Sequence, residues 1–471
     1  MKATLLLIFC LPTLLLAKEM IPTPPDFPVL GELEPYLWQE LVGKGNKDAG
    51  LRDVNTQDRF KAIVADNQMK LFGGPVIGAL GDRSARVWLR TPQAATVQVF
   101  VSETQELATG AVSGPVKTRP ETDYTVQLPL TNLHASTRYY YQVEVNGEAV
   151  LETPASFVTA PARGEAARFS VGFGGGARYN HVYEHIWETI AARNPLAFLF
   201  LGDNVYIDDG PNRSLQRLYY YRRQLRPEYR RLSASTAIYA IWDDHDFHNN
   251  DCSGGLDPFL PAYKVPVWKV FKENWPNPYY GGGPEQPGCW FDFNLGDVDF
   301  FMTDGRYYRD FKKGSMLGPV QKEWLKEKLK ASKATFKVIA SGTLWTETAD
   351  KNGKDSWWGV PAEREDILGT IDRHKIGGVI LLSADRHRTD VYQIKRPRGY
   401  TLYEFETSKL TNNHTHNTRK DAIFSYNKGN YFGLLDFDLS VKDPTVTFRC
   451  ITIDDRDVYS ITIPRSRLEA K

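Results

Sequence analysis

The sequence predicts an α/β protein in which a layered sheet core follows a small antiparallel β-sandwich. Three observations carry this. From Phe169 onward, apolar runs without alternation are separated by helical stretches, as in a sheet covered on both faces. Upstream, short segments alternate apolar and polar residues at period two, as half-exposed strands do. The length of 471 residues exceeds one ordinary domain, so a large core with satellites is expected.

Taken in order, MKATLLLIFCLPTLLLAKE has an early lysine, a short apolar run and Ala17 before Lys18. This is the layout of a secretory signal at residues 1–17, and its apolar core falls short of the ~18 residues of a membrane span. The alternatives are an uncleaved anchor or a buried N-terminal segment. With the signal, the chain is expected to be secreted or periplasmic, with no transmembrane helix. Residues 18–72 begin Pro-rich and carry weak helical periodicity around PYLWQELVG; they read as an extended arm or small cap. The segments SARVWLR, TVQVFVSE, YTVQLPL and RYYYQVEVNG place a seven-stranded sandwich in residues 73–160. PARGEAAR is a linker, and the core is expected over 166–465. Its strand candidates are RFSVGF, LAFLFL, AIYAIW, VDFFM, FKVIA and GGVILL. A helix beginning near Pro319 places Trp324, Leu325 and Leu329 on one face.

Composition limits the function classes. With 42% hydrophobic and 24% charged residues and a net charge of +1, no global field steers the chain toward nucleic acid or an anionic membrane. No nucleic-acid-binding module is expected, and anion selectivity must be local. Beyond Cys10, Cys252, Cys289 and Cys450 show no CxxC spacing. They form neither a disulfide scaffold nor a zinc site. A Cys252–Cys289 bridge is open in an oxidising compartment.

The polar residues sit where the strands end. LAFLFL runs into GDNVYIDD, AIYAIW into DDHDFHNND, VDFFM into TDGRYYR, GGVILL into SADRHR, and RFSVGF into GGGARYNH. Ligands of layered α/β sheets bind at the carboxyl ends of the strands. Three carboxylates converging to ~4 Å would repel by roughly 4 kcal/mol per pair at an effective dielectric near 20. Cations relieve this more simply than protonation. Asp203, Asp244 and Asp385 therefore read as a metal site, against the bland reading of each aspartate as a cap or turn residue.

The motifs GDNVY, IWDDHD with the following NND, and LSADRH resemble those of the alkaline phosphatase D (PhoD-like) family, a branch of the calcineurin-like metallophosphoesterases. The resemblance covers about Phe169 to Pro464. The sandwich also matches that family's N-terminal module, and its LHASTRYYYQVEVNG end looks like the late strands of a fibronectin type III domain. It implies a four-layer α/β/β/α core with a di-metal cluster at the strand ends. By the resemblance, Asp203 matches the bridging aspartate and Asp244 takes the place of an asparagine ligand. His245 matches the histidine beside the scissile phosphate, Asp385 and His387 match paired ligands, and Tyr206 matches a tyrosinate offered to ferric iron. One departure stands out: the family's Ser-Cys-Ser is here FGGGAR, Phe173 to Arg178. Without a thiolate the donor set is hard, favouring two or more Ca²⁺, Mg²⁺ or Mn²⁺ ions. Fe³⁺ stays open through Tyr206.

The implied chemistry is hydrolysis of phosphate mono- or diesters, small or polymeric, by metal-activated water. His245 is the candidate acid or charge stabiliser. Arg178, Arg306 and Arg388 are candidate phosphate clamps, each with a structural salt bridge as its alternative. Six arginines from Arg217 to Arg231 either grip an anionic polymer or pair locally. His414 and His416 follow the strand TLYEFET and are further ligand candidates, while Asp246 and His248 are candidates for orienting the ligands. The rival functions are a catalytically silent metal- or glycan-binding protein and a hydrolase of another ester such as sulfate.

Overall fold

The computed structural model of the chain describes residues 31–107, 110–347 and 355–469. The expected signal at 1–17 lies outside them. Among the described residues, no helix is long and apolar enough to cross a membrane.

The N-terminal stretch is helical: Leu33–Leu37, Leu51–Val54 and Asp58–Asp66, with a π-helical turn at Trp38–Gly43. Such short helices do not hold alone. Leu37, Leu41 and Phe60 pack with Phe72 and Tyr124 onto Leu218, Tyr221 and Leu225, the last at the end of helix Arg213–Gln224. Asp48 adds ion pairs to Arg213 at 2.7 Å and Arg217 at 3.0 Å. The arginine-rich run thus pairs locally, mostly within the fold, with Arg231 at the surface. Pro227 opens a second helix, Pro227–Ser233. Arg222 and Arg223 pair with Glu34 and Glu184, Arg226 and Arg231 with Glu228 and Glu188, and Arg230 donates to two carbonyls.

Next comes a two-sheet β domain. Gly73–Gly78, Ser84–Arg90 and Thr125–Thr131 form one sheet; Ala111–Lys117, Thr96–Ser102, Arg138–Val145 and Glu148–Ala149 form the other, with Ala155–Val158 also paired to Arg138–Val145. The alternation is visible in burial: Tyr139, Tyr141, Val143 and Val145 point inward from one strand. The domain is anchored on the core through Tyr239, whose hydroxyl accepts from Leu80 N at 2.9 Å and donates to Leu80 O at 3.1 Å.

The core consists of two mixed sheets. The first has the order Ala237–Ile241, Ala197–Leu201, Arg168–Gly174, Tyr431–Asp438, Thr445–Thr452, Asp457–Pro464. Its opening three strands are parallel and the rest antiparallel. The second runs Phe291–Leu295, Val298–Met302, Phe336–Ala340, Val379–Ser383, Leu402–Thr407, Thr389–Ile394, Phe424–Tyr426, with a parallel centre from Val298–Met302 to Leu402–Thr407. Aromatic rings interlock between the sheets: Phe405 stacks on Phe448 at 4.4 Å, Tyr239 on Phe293 at 3.8 Å, and Phe300 meets Phe437 edge-on at 6.2 Å. Trp187, on helix Ile186–Ala192, packs against Phe198 and Phe200 of the first sheet and Tyr229 of its neighbouring helix. Helices Gly318–Ala331 and Pro361–Arg373 lie together and carry the crossovers between parallel strands of the second sheet. The parallel strands of both sheets end toward a single rim.

Candidate metal centre

Each acidic turn is built by its strand end. Gly202 turns the chain after Ala197–Leu201 at φ +107°, where a Cβ would lie 2.5 Å from that of Asp243. Asp203 follows at φ +54°, while Asp385 and His387 adopt φ +78° and +46° after Val379–Ser383. Left-handed backbone costs a non-glycine residue about 1 kcal/mol or more and gathers where geometry matters more than local comfort. Asp246 braces the first two turns. Its carboxylate accepts from Asn204 N, Val205 N and Asp243 N at 2.8–3.1 Å.

Atoms of Asp203, Asp244 and His245 lie within 4.8 Å of one another, and so do the carboxylates of Asp244, Asp355 and Asp385. Asp244 belongs to both groups, and so stands between Asp203 on one side and Asp385 on the other. Asp203 Oδ1, Asp243 Oδ2 and His387 Nδ1 are buried without a hydrogen-bond partner. Unpaired anionic oxygens in a buried acidic cluster fit a bound cation. Burial raises the Asp244 carboxyl to about 7 even with Arg306 beside it. Burial also pushes Asp203 upward, but His245 and His387 hold it well below the usual carboxylate range.

Tyr206 lies among these groups. Its hydroxyl donates to Asp203 Oδ2 at 2.8 Å, accepts from Asn412 Nδ2 at 2.6 Å and lies 3.3 Å from His387 Nε2. His387 Nε2 is 4.0 Å from Asp203. The His245 ring stacks on Tyr206 at 4.2 Å, and its Nδ1 pairs with Asp208. Burial works against protonating His245, yet Asp203, Asp208 and Asp244 together raise it to about 10.

The three arginines separate. Arg178 is exposed, with its guanidinium 5.8 Å from the centre of the Tyr206 ring. Arg306 is fully enclosed: it pairs with Asp243, with Asp355 at 2.6 Å, and with Asp244 at 3.7 Å. Arg388 is likewise buried, donating to Asp390 at 2.5 Å. The expected clamp role is therefore corrected for Arg306 and Arg388, whose guanidinium groups face carboxylates within the fold. Asp304 accepts from the backbone N–H groups of Arg306 and Tyr307 in its own turn and of Cys289 beside it. The cysteine bridge is also corrected: Cys252, Cys289 and Cys450 are free and buried. Cys252 faces the Asp244 carbonyl while the backbone at Cys289 is held by Asp304.

The site also contains Asn412, Asp355 and Asp208, which sequence reasoning misses or sets aside. Asp208 has a usable signal in GDNVYIDD but resembles a turn residue. Asp355 stands in KNGKDSWWG, away from any strand end, and Asn412 in a polar loop. His414 and His416 do reach the site, with both rings beside His387. His248 Nδ1 accepts from Gly210 N at 3.0 Å.

Residues 171–438 match the family model described as PhoD-like phosphatase, and residues 59–161 match that of the PhoD-like phosphatase N-terminal domain. Alkaline phosphatase D of Bacillus subtilis (strain 168) is 23% identical over 346 residues, 63% of this chain and 58% of that protein. The structure of PhoD superposes with a TM-score of 0.68 at 17% identity, over 84% of this chain and 93% of the other. The purple acid phosphatase PPD1 from yellow lupin (Lupinus luteus) seeds gives 0.60 at 13% identity, over 83% and 74%. At these identities the structural likeness shows the fold: a metallophosphoesterase-like α/β core.

Proposed function

The chain belongs to the PhoD-like phosphatases, and from that premise we propose that it hydrolyses phosphate mono- or diesters at the rim where Asp203, Asp244 and Asp385 meet. The observation that carries this is the shared position of Asp244 between two acidic groups, beside the unpartnered Asp203 Oδ1. Asp203, Tyr206, Asp244, Asp385 and His387 would hold the metal ions. The oxygen-rich set suits Ca²⁺, Mg²⁺ or Mn²⁺, and Tyr206 suits Fe³⁺. Metal ions bound there supply an acidified water and neutralise phosphoryl charge.

The chain's own residues do the rest. Asp208 holds a proton on His245 Nδ1, and stacking on Tyr206 fixes the ring, leaving Nε2 to protonate the departing ester oxygen. With Asp203, Asp208 and Asp244 around it, His245 would hold that proton until the ester oxygen accepts it. Arg178 is the arginine on the exposed rim and would grip a phosphoryl oxygen. Arg306 acts from beneath, balancing Asp243 and Asp355 so that the acidic turns can stay together. Export rests on the sequence of residues 1–17. The substrate would be a small or polymeric phosphate ester.

The test is an assay of the purified protein on an aryl phosphate monoester, a diester and a sulfate, before and after chelation, with elemental analysis. Turnover of a phosphate ester that disappears with the metal is expected. Undiminished turnover by metal-free protein would overturn the mechanism, and turnover of the sulfate alone would overturn the substrate class.

A further inference from the structure

Beside the carboxylates, three imidazoles meet. Ring nitrogens of His387, His414 and His416 lie within 4.8 Å of one another, and the ring centres are 5.1, 5.8 and 4.7 Å apart. They come from two adjacent parallel strands of the second sheet. His387 lies on the turn after Val379–Ser383, and His414 and His416 on the loop after Leu402–Thr407. The loop is held in place. Asn412 donates to Tyr206 Oη at 2.6 Å and accepts from His414 N at 2.9 Å, Asn430 donates to Asn412 O at 3.0 Å, and Asn427 donates to His416 O at 3.0 Å. His387 is 7% exposed, and its Nδ1 is buried without a partner. A buried imidazole nitrogen left unpaired beside two further imidazoles calls for a ligand.

We infer that His387, His414 and His416 build a separate metal position for a transition-metal ion of the zinc type, next to the carboxylate position that suits hard cations. Imidazole nitrogen favours Zn²⁺, Ni²⁺ or Cu²⁺ over Ca²⁺ and Mg²⁺. Three nitrogens around one zinc ion stand about 3.3 Å apart, from bond lengths near 2.05 Å. The observed spacing closes to this by rotation of His414 and His416, one exposed and one half-buried. Tyr206 Oη, 3.3 Å from His387 Nε2, offers an oxygen at the border with the acidic group. The centre would then be mixed, with an imidazole half around His387, His414 and His416 and an oxygen half around Asp203, Asp244 and Asp385, the two meeting on the turn that carries Asp385 and His387. The inference rests on the proposed function only in that His387 is common to both.

The test reads metal rather than turnover. Full-length protein stripped by chelation is titrated with Co²⁺, Zn²⁺ and Mn²⁺ or Ca²⁺, alongside the double variant His414→Ala/His416→Ala and the variant Asp244→Ala. Circular dichroism and melting temperature establish that each is folded. The wild type is expected to show visible Co²⁺ bands of tetrahedral intensity and to bind one Zn²⁺ that the double variant holds more weakly by over about 100-fold, the upper range for losing mere outer-shell partners. Asp244→Ala, which removes the oxygen donor altogether, should keep those bands while losing Mn²⁺ or Ca²⁺. Equal zinc binding and an unchanged Co²⁺ spectrum in the folded double variant would overturn the imidazole site and leave the proposed hydrolysis standing. A wild type with the histidine-dependent spectrum but no turnover of any phosphate ester would overturn the proposed function and leave this site standing.

Discussion

Arg306 is where the acidic rim becomes possible. Its guanidinium lies between Asp243, Asp244 and Asp355 with no exposure, and Arg309 adds a second cation to Asp355. Arg306→Ala removes the counter-charge and leaves buried carboxylates facing one another. Breaking a buried pair this way costs about 3–5 kcal/mol, so a lower denaturant midpoint is expected even with metal added back. His245 behaves differently, being half-buried and outside the metal ligand set proposed above. His245→Ala should lower kcat by about 10²–10⁴ with metal content unchanged, read by steady-state kinetics and elemental analysis. Loss of metal would instead make His245 a ligand. The sequence could name the arginines but not tell a clamp from a buried counter-charge, because exposure decides their roles. TDGRYYR and SADRHR look equally suited to grip phosphate, yet their arginines turn inward, while Arg178 after a bare glycine turn stays on the surface.

Among the elements, the apolar runs with acidic ends were legible because a short run with no polar residue fits few places except a sheet covered on both faces. The antiparallel part of each sheet was not. Thr389–Ile394 and the three strands from Tyr431 to Pro464 mix charged and aromatic residues, and their pairing is antiparallel. That pattern is weaker than a continuous apolar run. The N-terminal helices were faint for another reason: their stability is borrowed from the helix Arg213–Gln224. Asp48 ties the two together. Arg213 first, and then Arg217, hold its carboxyl well below its ordinary value of 3.8, against the opposing effect of burial. A carboxyl depressed in the folded state stabilises above its unfolded pKa, and the benefit is lost as pH falls below it. Asp48→Asn should therefore cost about 1 kcal/mol or less near neutral pH, as the site is partly solvated. The gap from wild type should close as the pH drops below about 3.8 in denaturation series. A gap that persists in acid would assign the loss to packing.

For the molecule as a whole, the β domain is joined to the core by hydrogen bonds as well as by apolar contact. Tyr239, on the first strand of the first core sheet, serves both polar groups of Leu80. Tyr239→Phe would leave a buried N–H and C=O unpaired, a loss of about 1–3 kcal/mol, and a lower melting temperature is expected with kcat unchanged. An unaltered melting temperature would mean that water replaces the hydroxyl. The proposed ligands hang from two different leaves: Asp203 and Asp244 from the first sheet, Asp385 and His387 from the second. Their separation is therefore a property of the interleaved rings of Phe405, Phe448, Phe300 and Phe437. That aromatic filling works as a gauge block for the jaws above it, and trimming one ring deep in the stack would alter which ionic radius the jaws accept without touching a single ligand.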